Sequence, residues 1–483
     1  MSKTQISAER PGGFRDYLPG QVQFRLKMIE TIRGVFERFG FEPLETSAIE
    51  YFDVLTGGDD MFDMALYEAK RTRGERLADD VRRTALRFDL TVPLARVVAE
   101  YGDLLPRPFK RYQVGNVWRG EKPQAGRFRE FMQFDADTVG TASMMADAEI
   151  VWLMYETLKA LGVERFVVRF NNRKILNGLP AYVGFPDADT NEVLRILDKS
   201  EKIGAEEIRA QLIAAPKPVM TREEVQEYDR WLWSLSPEDQ EKEKNRVYGP
   251  GLSEEAADRV MAFVAITGST DEILDKTVDI GRGNLLIAEG AAELREIVKY
   301  LRAADVPETH WRVDLSVARG LAYYTGPVFE TVLTDDPTIG SVFSGGRYDD
   351  LVRRFMPDSI PATGASIGVD RLFAALERLG VVGAVPPTVQ VLVTVMDPTL
   401  SALYIGMVRD LRNAGIRTAV YLGQEMAFKA QMAFATKQEI PVVVICGTRE
   451  MADGTVQVRD MRARVQEAVP RASLVERVRA VLS

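Results

Sequence analysis

FKRYQVGNVWRGEKPQAGRFREFMQFDADTVG, residues 109–140, is the stretch on which the fold turns. Two strand-like runs flank GEKPQAG, whose Gly120, Pro123 and Gly126 suit a loop. The pattern predicts an antiparallel hairpin with a long tip. Side chains alternate across a strand, so Arg129, Phe131, Gln133, Asp135 and Asp137 share one face. On the partner strand Arg111, Gln113, Gly115, Val117 and Arg119 share one face, and the two faces coincide if the register allows. Such a surface carries arginines near the loop, a ring beside them, then an amide and carboxylates. A planar guanidinium suits phosphate because it donates two parallel hydrogen bonds. Phenylalanine can stack on a base, and a deep carboxylate suits an ammonium or an imidazole N–H. Either the face reads phosphate, nucleobase and a cationic group in succession, or it is a solvated charged hairpin.

The rest of the chain narrows the chemistry. Its 483 residues hold one cysteine, Cys446, and one histidine, His310. A disulfide framework within the chain, a multi-cysteine zinc site and a His-based metalloprotease are therefore excluded. Any chemistry runs mainly on Arg, Lys, carboxylates, Tyr and backbone groups. Hydrophobic residues make up 46% and charged residues 28%, ordinary for a globular protein. No apolar run is long enough to span a membrane, and the start, MSKTQISAERPGG, lacks a secretory apolar region. A single cysteine fits a reducing, cytoplasmic compartment. Cys446 reads as core packing and His310 as structural or exposed.

The net charge is −9, but unevenly spread. Residues 107–129 hold seven basic residues against one acidic, residues 201–300 carry a net −8, and residues 401–483 a net +4. Around Asn171–Gly178 a strand-like run, ERFVVRFNN, gives way to helical patterns such as EVLRILDKSEKIGAEEIRAQL, EEAADRVMAFVAI and GAAELREIVKYLRAA. Residues 205–300 read as a helical insertion, with strand character returning at WRVDLSVARG. GVVGAVPPT reads as a linker, since Pro-Pro stops a helix. Beyond it VQVLVTV, SALYIGMVRDLRNAG, RTAVYL, EMAFKAQMAFATKQ and PVVVIC alternate strand and helix, predicting a small α/β domain with a mainly parallel sheet. The expected organisation is residues 1–204 and 301–380 as one domain, 205–300 inserted, 381–388 linking and 389–483 as a second domain.

The 109–140 stretch resembles motif 2 of the class II aminoacyl-tRNA synthetases, in the form found in histidyl-tRNA synthetases. PGGFRDYLPG (11–20), LRFDLTVPLAR (86–96), VARGLAYYTGPVFE (317–330), SGGRYDDLV (344–352) and ATGASIGVDRLF (362–373) resemble other segments of that family. AFKAQMAFATKQEIPVVVICG (427–447) is similar to its anticodon-binding domain. The resemblance implies an α+β fold: a catalytic core on a mainly antiparallel sheet, a helical insertion and a small C-terminal α/β domain. It implies ATP-dependent joining of histidine to its tRNA through an adenylate, with Mg²⁺ on the nucleotide, in a homodimer.

Residue by residue, Arg119 matches the arginine that grips the α-phosphate and the substrate carboxylate. Glu121 matches an acceptor for the adenine amino group, Arg127 a γ-phosphate contact, Phe131 the ring stacked on adenine and Arg371 a second ATP arginine. Asp89, Thr91, Gln133 and Asp137 match residues holding the amino group and ring of histidine. Tyr323 and Tyr324 match the tyrosine pair lining the imidazole, with Tyr348 near them. Arg319 matches the arginine contacting the α-phosphate from the side opposite Arg119. Gly364 and Gly368 would let ligand approach the backbone. Lys429, Lys437 and Arg449 are candidates for tRNA contact. Four positions depart from the pattern: Ser47 for a proline, Ala322 for an aspartate, Asp350 for a glycine and Asp370 for a glutamate. The missing aspartate leaves a supporting carboxylate near Arg319 or the tyrosines to be supplied elsewhere. A rival within the resemblance is a histidine-binding regulatory paralogue that does not aminoacylate.

Overall fold

Residues 109–118 and 130–139 do pair as neighbouring antiparallel strands of the main sheet. The computed structural model describes residues 6–57, 65–70, 82–122, 128–199, 203–218, 222–244, 246–320, 324–381 and 387–483. The chain divides into two compact units, Met1–Val382 and Gly383–Ser483. Strands of the first unit are β1 (Glu42–Pro43), β2 (Ile49–Tyr51), β3 (Thr84–Leu86), β4 (Phe109–Trp118), β5 (Glu130–Val139), β6 (Phe166–Asn172), β7 (Trp311–Val313), β8 (Pro327–Leu333), β9 (Phe343–Arg347) and β10 (Ala362–Gly368). The main sheet runs β1-β4-β5-β10-β9-β8-β6-β7, and β2 pairs with β3 apart from it. Its five inner pairings are antiparallel and its two outermost pairings parallel. The mainly antiparallel sheet expected from the sequence is therefore present.

The register of the hairpin sets Arg111 opposite Asp137, Gln113 opposite Asp135, Gly115 opposite Gln133 and Val117 opposite Phe131. The two faces read from the alternation thus coincide. The other face, with Tyr112, Phe134, Ala136 and, on β10, Ile367, is buried in the main apolar core. Helix Pro19–Arg38 packs there. Pro19 begins it, its fixed φ suiting the first turn, and Met28, Ile32, Val35 and Phe36 recur at helical spacing as its buried stripe. The Phe36 and Phe134 rings meet edge to face at 4.9 Å. Burying two such rings contributes several kcal/mol of the sheet–helix adhesion, at about 1.5–3 kcal/mol each.

Helices Ala205–Ile213, Glu254–Val264, Thr270–Ile280 and Leu285–Ala303 fall within or run just past the stretch read as an insertion. Ile208, Leu212, Ala257, Val260, Phe263 and Leu294 are buried in the same apolar cluster as Phe170 and Trp311 of the sheet. Asn284 caps the last of these helices by accepting from the Leu286 and Ile287 N–H groups. His310 is half-buried between the rings of Tyr155 and Phe166, at 5.2 and 4.8 Å, with Nε2 3.1 Å from the Glu164 carbonyl. It is structural, as expected.

The second unit holds β11 (Val391–Val393), β12 (Thr418–Val420), β13 (Val442–Ile445), β14 (Thr455–Asp460) and β15 (Val465–Pro470), in the order β12-β11-β13-β14-β15. The first three are parallel, as the strand–helix alternation predicted. The antiparallel β14–β15 hairpin and the closing helix Leu474–Leu482 went unread. In β15 the pattern is four exposed residues before buried Val469, so no apolar alternation announces it. Cys446 is 1% exposed among Tyr404, Met407 and Val444, a packing role.

Candidate active site

Three neighbouring strands lay out the floor of the site in rows. On β5 the inward series is Gln133, Asp135, Asp137; across from it β10 presents Gly368, Ser366, Gly364, and β4 presents Gly115, Gln113, Arg111. Small residues on β10 oppose the long or charged ones on β5, which leaves room above them. Gly364 lines the cavity and has a second reason to be glycine. A Cβ there would collide with the Asp137 carboxylate and the Ala136 carbonyl, so the missing side chain accommodates Asp137. Gly364→Ala is expected to displace Asp137 and raise the KM for histidine at least tenfold in pyrophosphate exchange, with a smaller change in the KM for ATP.

Asp89, Thr91, Arg119, Glu121, Phe131, Gln133, Asp137, Arg319, Tyr324, Tyr348 and Arg371 all line one cavity of about 470 Å³. The sequence therefore named residues from five separate segments that the fold brings together. Arg127, Tyr323 and Ala322 lie outside the described residues. Asp135, Ser344, Ser366 and Asp370 also line the cavity and had no assigned role. Asp135 was legible from its period-two spacing. Ser366 was not, since its place depends on the register of β10 against β5.

The deep end is acidic. Arg111, fully buried, places Nη2 2.8 Å from Asp137 Oδ2 and also donates to the Leu90 carbonyl at 3.0 Å. Tyr348 donates its hydroxyl to Asp137 Oδ1. Asp89 accepts from the Val92 N–H at 3.1 Å, tying it to the first turn of helix Thr91–Tyr101. Burial holds Asp89, Asp135 and Asp137 above the usual carboxylate range, and Arg111 offsets part of this for the last two. One buried arginine faces three buried carboxylates, so this end favours a cation. A cation bound there lowers those raised values and expels protons. Histidine binding near neutral pH should therefore release protons, seen as a buffer-dependent heat in titration calorimetry. Carboxylates with raised values become fully charged only as pH rises, so their contribution to affinity should grow between about pH 6 and 8. A heat independent of buffer ionisation would contradict this.

The other end is basic. The Arg119 guanidinium lies over the Phe131 ring at 5.1 Å and donates Nε to the Phe88 carbonyl at 3.1 Å. Its backbone N–H pairs with the Arg129 carbonyl at 2.8 Å, closing the hairpin beyond the last strand residues. Arg371 donates to the Ser341 carbonyl at 2.8 Å. Arg319 places Nη2 2.8 Å from Glu330 Oε1, and the far side of that carboxylate lies 3.4 Å from Arg169. Glu330 is 3% exposed. The carboxylate missing at position 322 is thus supplied to Arg319 from β8. Gly320, at φ +72°, has the Tyr324 ring against it where a Cβ would project, so the turn after Arg319 requires glycine.

The departure at Asp370 also finds its physical reason. Its shorter carboxylate accepts from the Tyr17 hydroxyl at 2.6 Å and the Met132 N–H at 2.7 Å, and pairs with Arg25 at 2.6 Å. Tyr17 belongs to the 11–20 segment, which is thereby tied to the edge of the cavity. Ser47 is exposed, its hydroxyl accepting from the Ile49 N–H at 3.2 Å. Asp350 is a surface residue paired with Arg353 at 3.2 Å. In the second unit Lys429, Lys437 and Arg449 are exposed.

Arginines and buried carboxylates lining one cavity on an antiparallel sheet fit an amino-acid-activating enzyme of the class II synthetase kind. The family model for histidyl-tRNA synthetase matches residues 13–372, and that for the anticodon binding domain matches residues 390–481. The chain belongs to the histidyl-tRNA synthetase family. It is 40% identical to the histidine–tRNA ligase of Jannaschia sp., covering 94% of this chain and 90% of that one. It is likewise 40% identical to the histidine–tRNA ligase of Paracoccus denitrificans, covering 98% and 97%. Histidyl-tRNA synthetase from Nostoc sp. PCC 7120 superimposes with a TM-score of 0.78 at 31% identity, over 99% of this chain and 100% of that one.

Proposed function

We propose that this cavity holds MgATP and histidine together, with Arg119 and Arg319 clamping the α-phosphate between them. The reaction is ATP-dependent attachment of histidine to its tRNA through histidyl-adenylate. The observation that carries the assignment of residues is the one cavity lined by Arg119, Arg319 and Arg371 together with Asp89, Gln133 and Asp137.

The first step needs no protein nucleophile. The ionised histidine carboxylate attacks the α-phosphorus in line, and pyrophosphate leaves. Negative charge gathers on the phosphoryl oxygens in the transition state, where fixed guanidinium groups stabilise it without reorganising. Arg371 and Glu121 are assigned to the nucleotide, and Phe131 to the adenine ring. Phe131 is already held against Arg119, so one face of the ring is taken and the other is available for stacking. Asp89, Thr91, Gln133, Asp137, Tyr324 and Tyr348 hold histidine. In the second step a ribose hydroxyl of the tRNA 3′-terminal adenosine attacks the adenylate carbonyl, and AMP leaves. A pocket of buried polar groups rejects analogues lacking the ring N–H, because those groups would be left unpaired.

Magnesium enters as part of the substrate, on the β- and γ-phosphates. Lys429, Lys437 and Arg449 are proposed contacts to tRNA phosphates, whose affinity falls with salt. A homodimer accords with the apolar residues Val22, Leu26, Ile49 and Tyr51 exposed on the first unit. A reducing, cytoplasmic location accords with the lone buried thiol; among the described residues, no helix is long and apolar enough to cross a membrane.

A Bacillus halodurans structure named ATP phosphoribosyltransferase regulatory subunit/histidyl-tRNA synthetase shares the fold at 22% identity, with a TM-score of 0.67, a likeness of fold alone. The anticodon-binding match favours the ligase. Histidine-dependent ATP–pyrophosphate exchange, followed by transfer of labelled histidine to tRNA, tests it. Exchange with histidine and not with other amino acids is expected. Its absence would leave the regulatory reading standing.

A further inference from the structure

The strand register builds a hydrogen-bonded chain on the cavity floor that no motif anticipates. Gln133 Nε2 donates to Ser366 Oγ at 2.7 Å. Ser366 stands opposite Asp135 in the β5–β10 register, where its hydroxyl favours the charged form of the carboxylate. Having accepted from Gln133, the serine hydroxyl keeps its one proton to give, and the Asp135 carboxylate is the acceptor opposite it. The order is amide to hydroxyl to carboxylate.

That direction leaves two acceptors over. Gln133 Oε1 and Asp135 Oδ1 are both buried without a hydrogen-bond partner among the described residues. Gln133 is 8% exposed and Asp135 2%, and both line the cavity. A buried carboxylate oxygen left unpaired is costly, because its lost hydration is not replaced. Gln113, across β4, cannot relieve it, because its amide is engaged with Thr46 at 3.0 Å. Arg111 gives Nη2 to Asp137 and the Leu90 carbonyl, and its Nε and Nη1, though buried, make no hydrogen bond to either acceptor. An N–H donor entering from the cavity would satisfy both.

We propose that Asp135 is a specificity-determining residue of the histidine pocket, its free oxygen accepting an N–H of the bound amino acid, with Ser366 as the positioning residue that aims it. This rests on the assignment of the cavity to histidine and adds an acceptor to it. Both acceptors belong to residues that line the same cavity. Substrates lacking that donor leave two buried acceptors unpaired, and this is where selectivity arises.

The test is steady-state ATP–pyrophosphate exchange on the full chain with Asp135→Asn and Ser366→Ala. Asp135→Asn is expected to raise the KM for histidine tenfold or more while leaving the KM for ATP within twofold. Ser366→Ala is expected to raise the histidine KM three- to tenfold, with kcat changing less. A purely structural role would move both KM values together. Imidazole-lactate, which carries a hydroxyl in place of the ammonium, identifies the donor when used as an inhibitor. An inhibition constant insensitive to Asp135→Asn assigns the ammonium; one that rises in parallel with the histidine KM assigns the ring. A histidine KM within twofold of wild type in Asp135→Asn, or an equal rise for ATP, overturns the proposal. Wild-type exchange is run alongside, and its failure would instead overturn the histidine assignment of the cavity. Ser366→Ala, with a smaller change at the site, serves where Asp135→Asn does not fold.

Discussion

Arg319→Ala is expected to lower histidine-dependent pyrophosphate exchange on the order of 10²–10³-fold, the loss seen when a fixed donor is removed from a developing anion. The loss should fall on kcat, since the charge it meets develops in the transition state. Folding should survive. Glu330, the buried carboxylate that holds Arg319 at 2.8 Å, keeps Arg169 within 3.4 Å on its other side. The variant therefore leaves no uncompensated buried charge, and Tm should fall by only a few degrees. Arg319→Lys should recover little of the rate, because an ammonium lacks the planar fork that grips two oxygens at once. An exchange rate for Arg319→Ala within threefold of wild type would remove it from the phosphate site. Its pairing with Glu330 would then be purely structural.

Arg111→Leu should have the largest effect on stability. Arg111 is fully buried and is the counter-ion of Asp137, with Asp135 as the neighbouring carboxylate. Removing one partner of a buried ion pair costs about 3–5 kcal/mol, because the other charge is left without compensation. Both carboxylates already lie above their ordinary range, and losing Arg111 raises them further. The folded variant then binds protons that the unfolded chain releases at ordinary carboxylate values. Its stability relative to wild type should improve as pH falls toward about 5 and worsen as pH rises through neutrality. Denaturant unfolding of both proteins at several pH values measures this. A difference below about 1 kcal/mol at neutral pH would show that the pocket carboxylates need no buried counter-ion.

Arg111 and Arg119 show how far a linear reading goes. Arg111 lies in β4 and Arg119 one residue past its end, at alternating spacing, so their common face was legible, as was the opposing series from Arg129 to Asp137. What could not be read was that one would be buried as a counter-ion and the other would border the cavity. Alternation assigns a face; burial depends on what lies above it. The β10 strand and the segment from Phe88 to Thr91 decide that, and both come from elsewhere in the chain. Gly364 shows the same limit. A glycine in a strand signals close approach, and besides lining the cavity it makes room for Asp137 of the neighbouring strand, which no local pattern shows.

The sequence by itself determined the hairpin, the helical runs, the parallel half of the second domain and most of the residues that line the cavity. Those features rest on periodicity and on local motifs, which a stretch of ten to thirty residues carries within itself. Only the tertiary structure decided which acceptors remain unpaired, which carboxylate supports Arg319 and what Asp370 holds. Each depends on partners far apart in the chain: Gln133 and Ser366 lie 233 positions apart, Asp137 and Tyr348 211, Met132 and Asp370 238. Hydrogen-bond direction and pairing register are properties of strands once they are side by side. No pattern within a single strand encodes its neighbour.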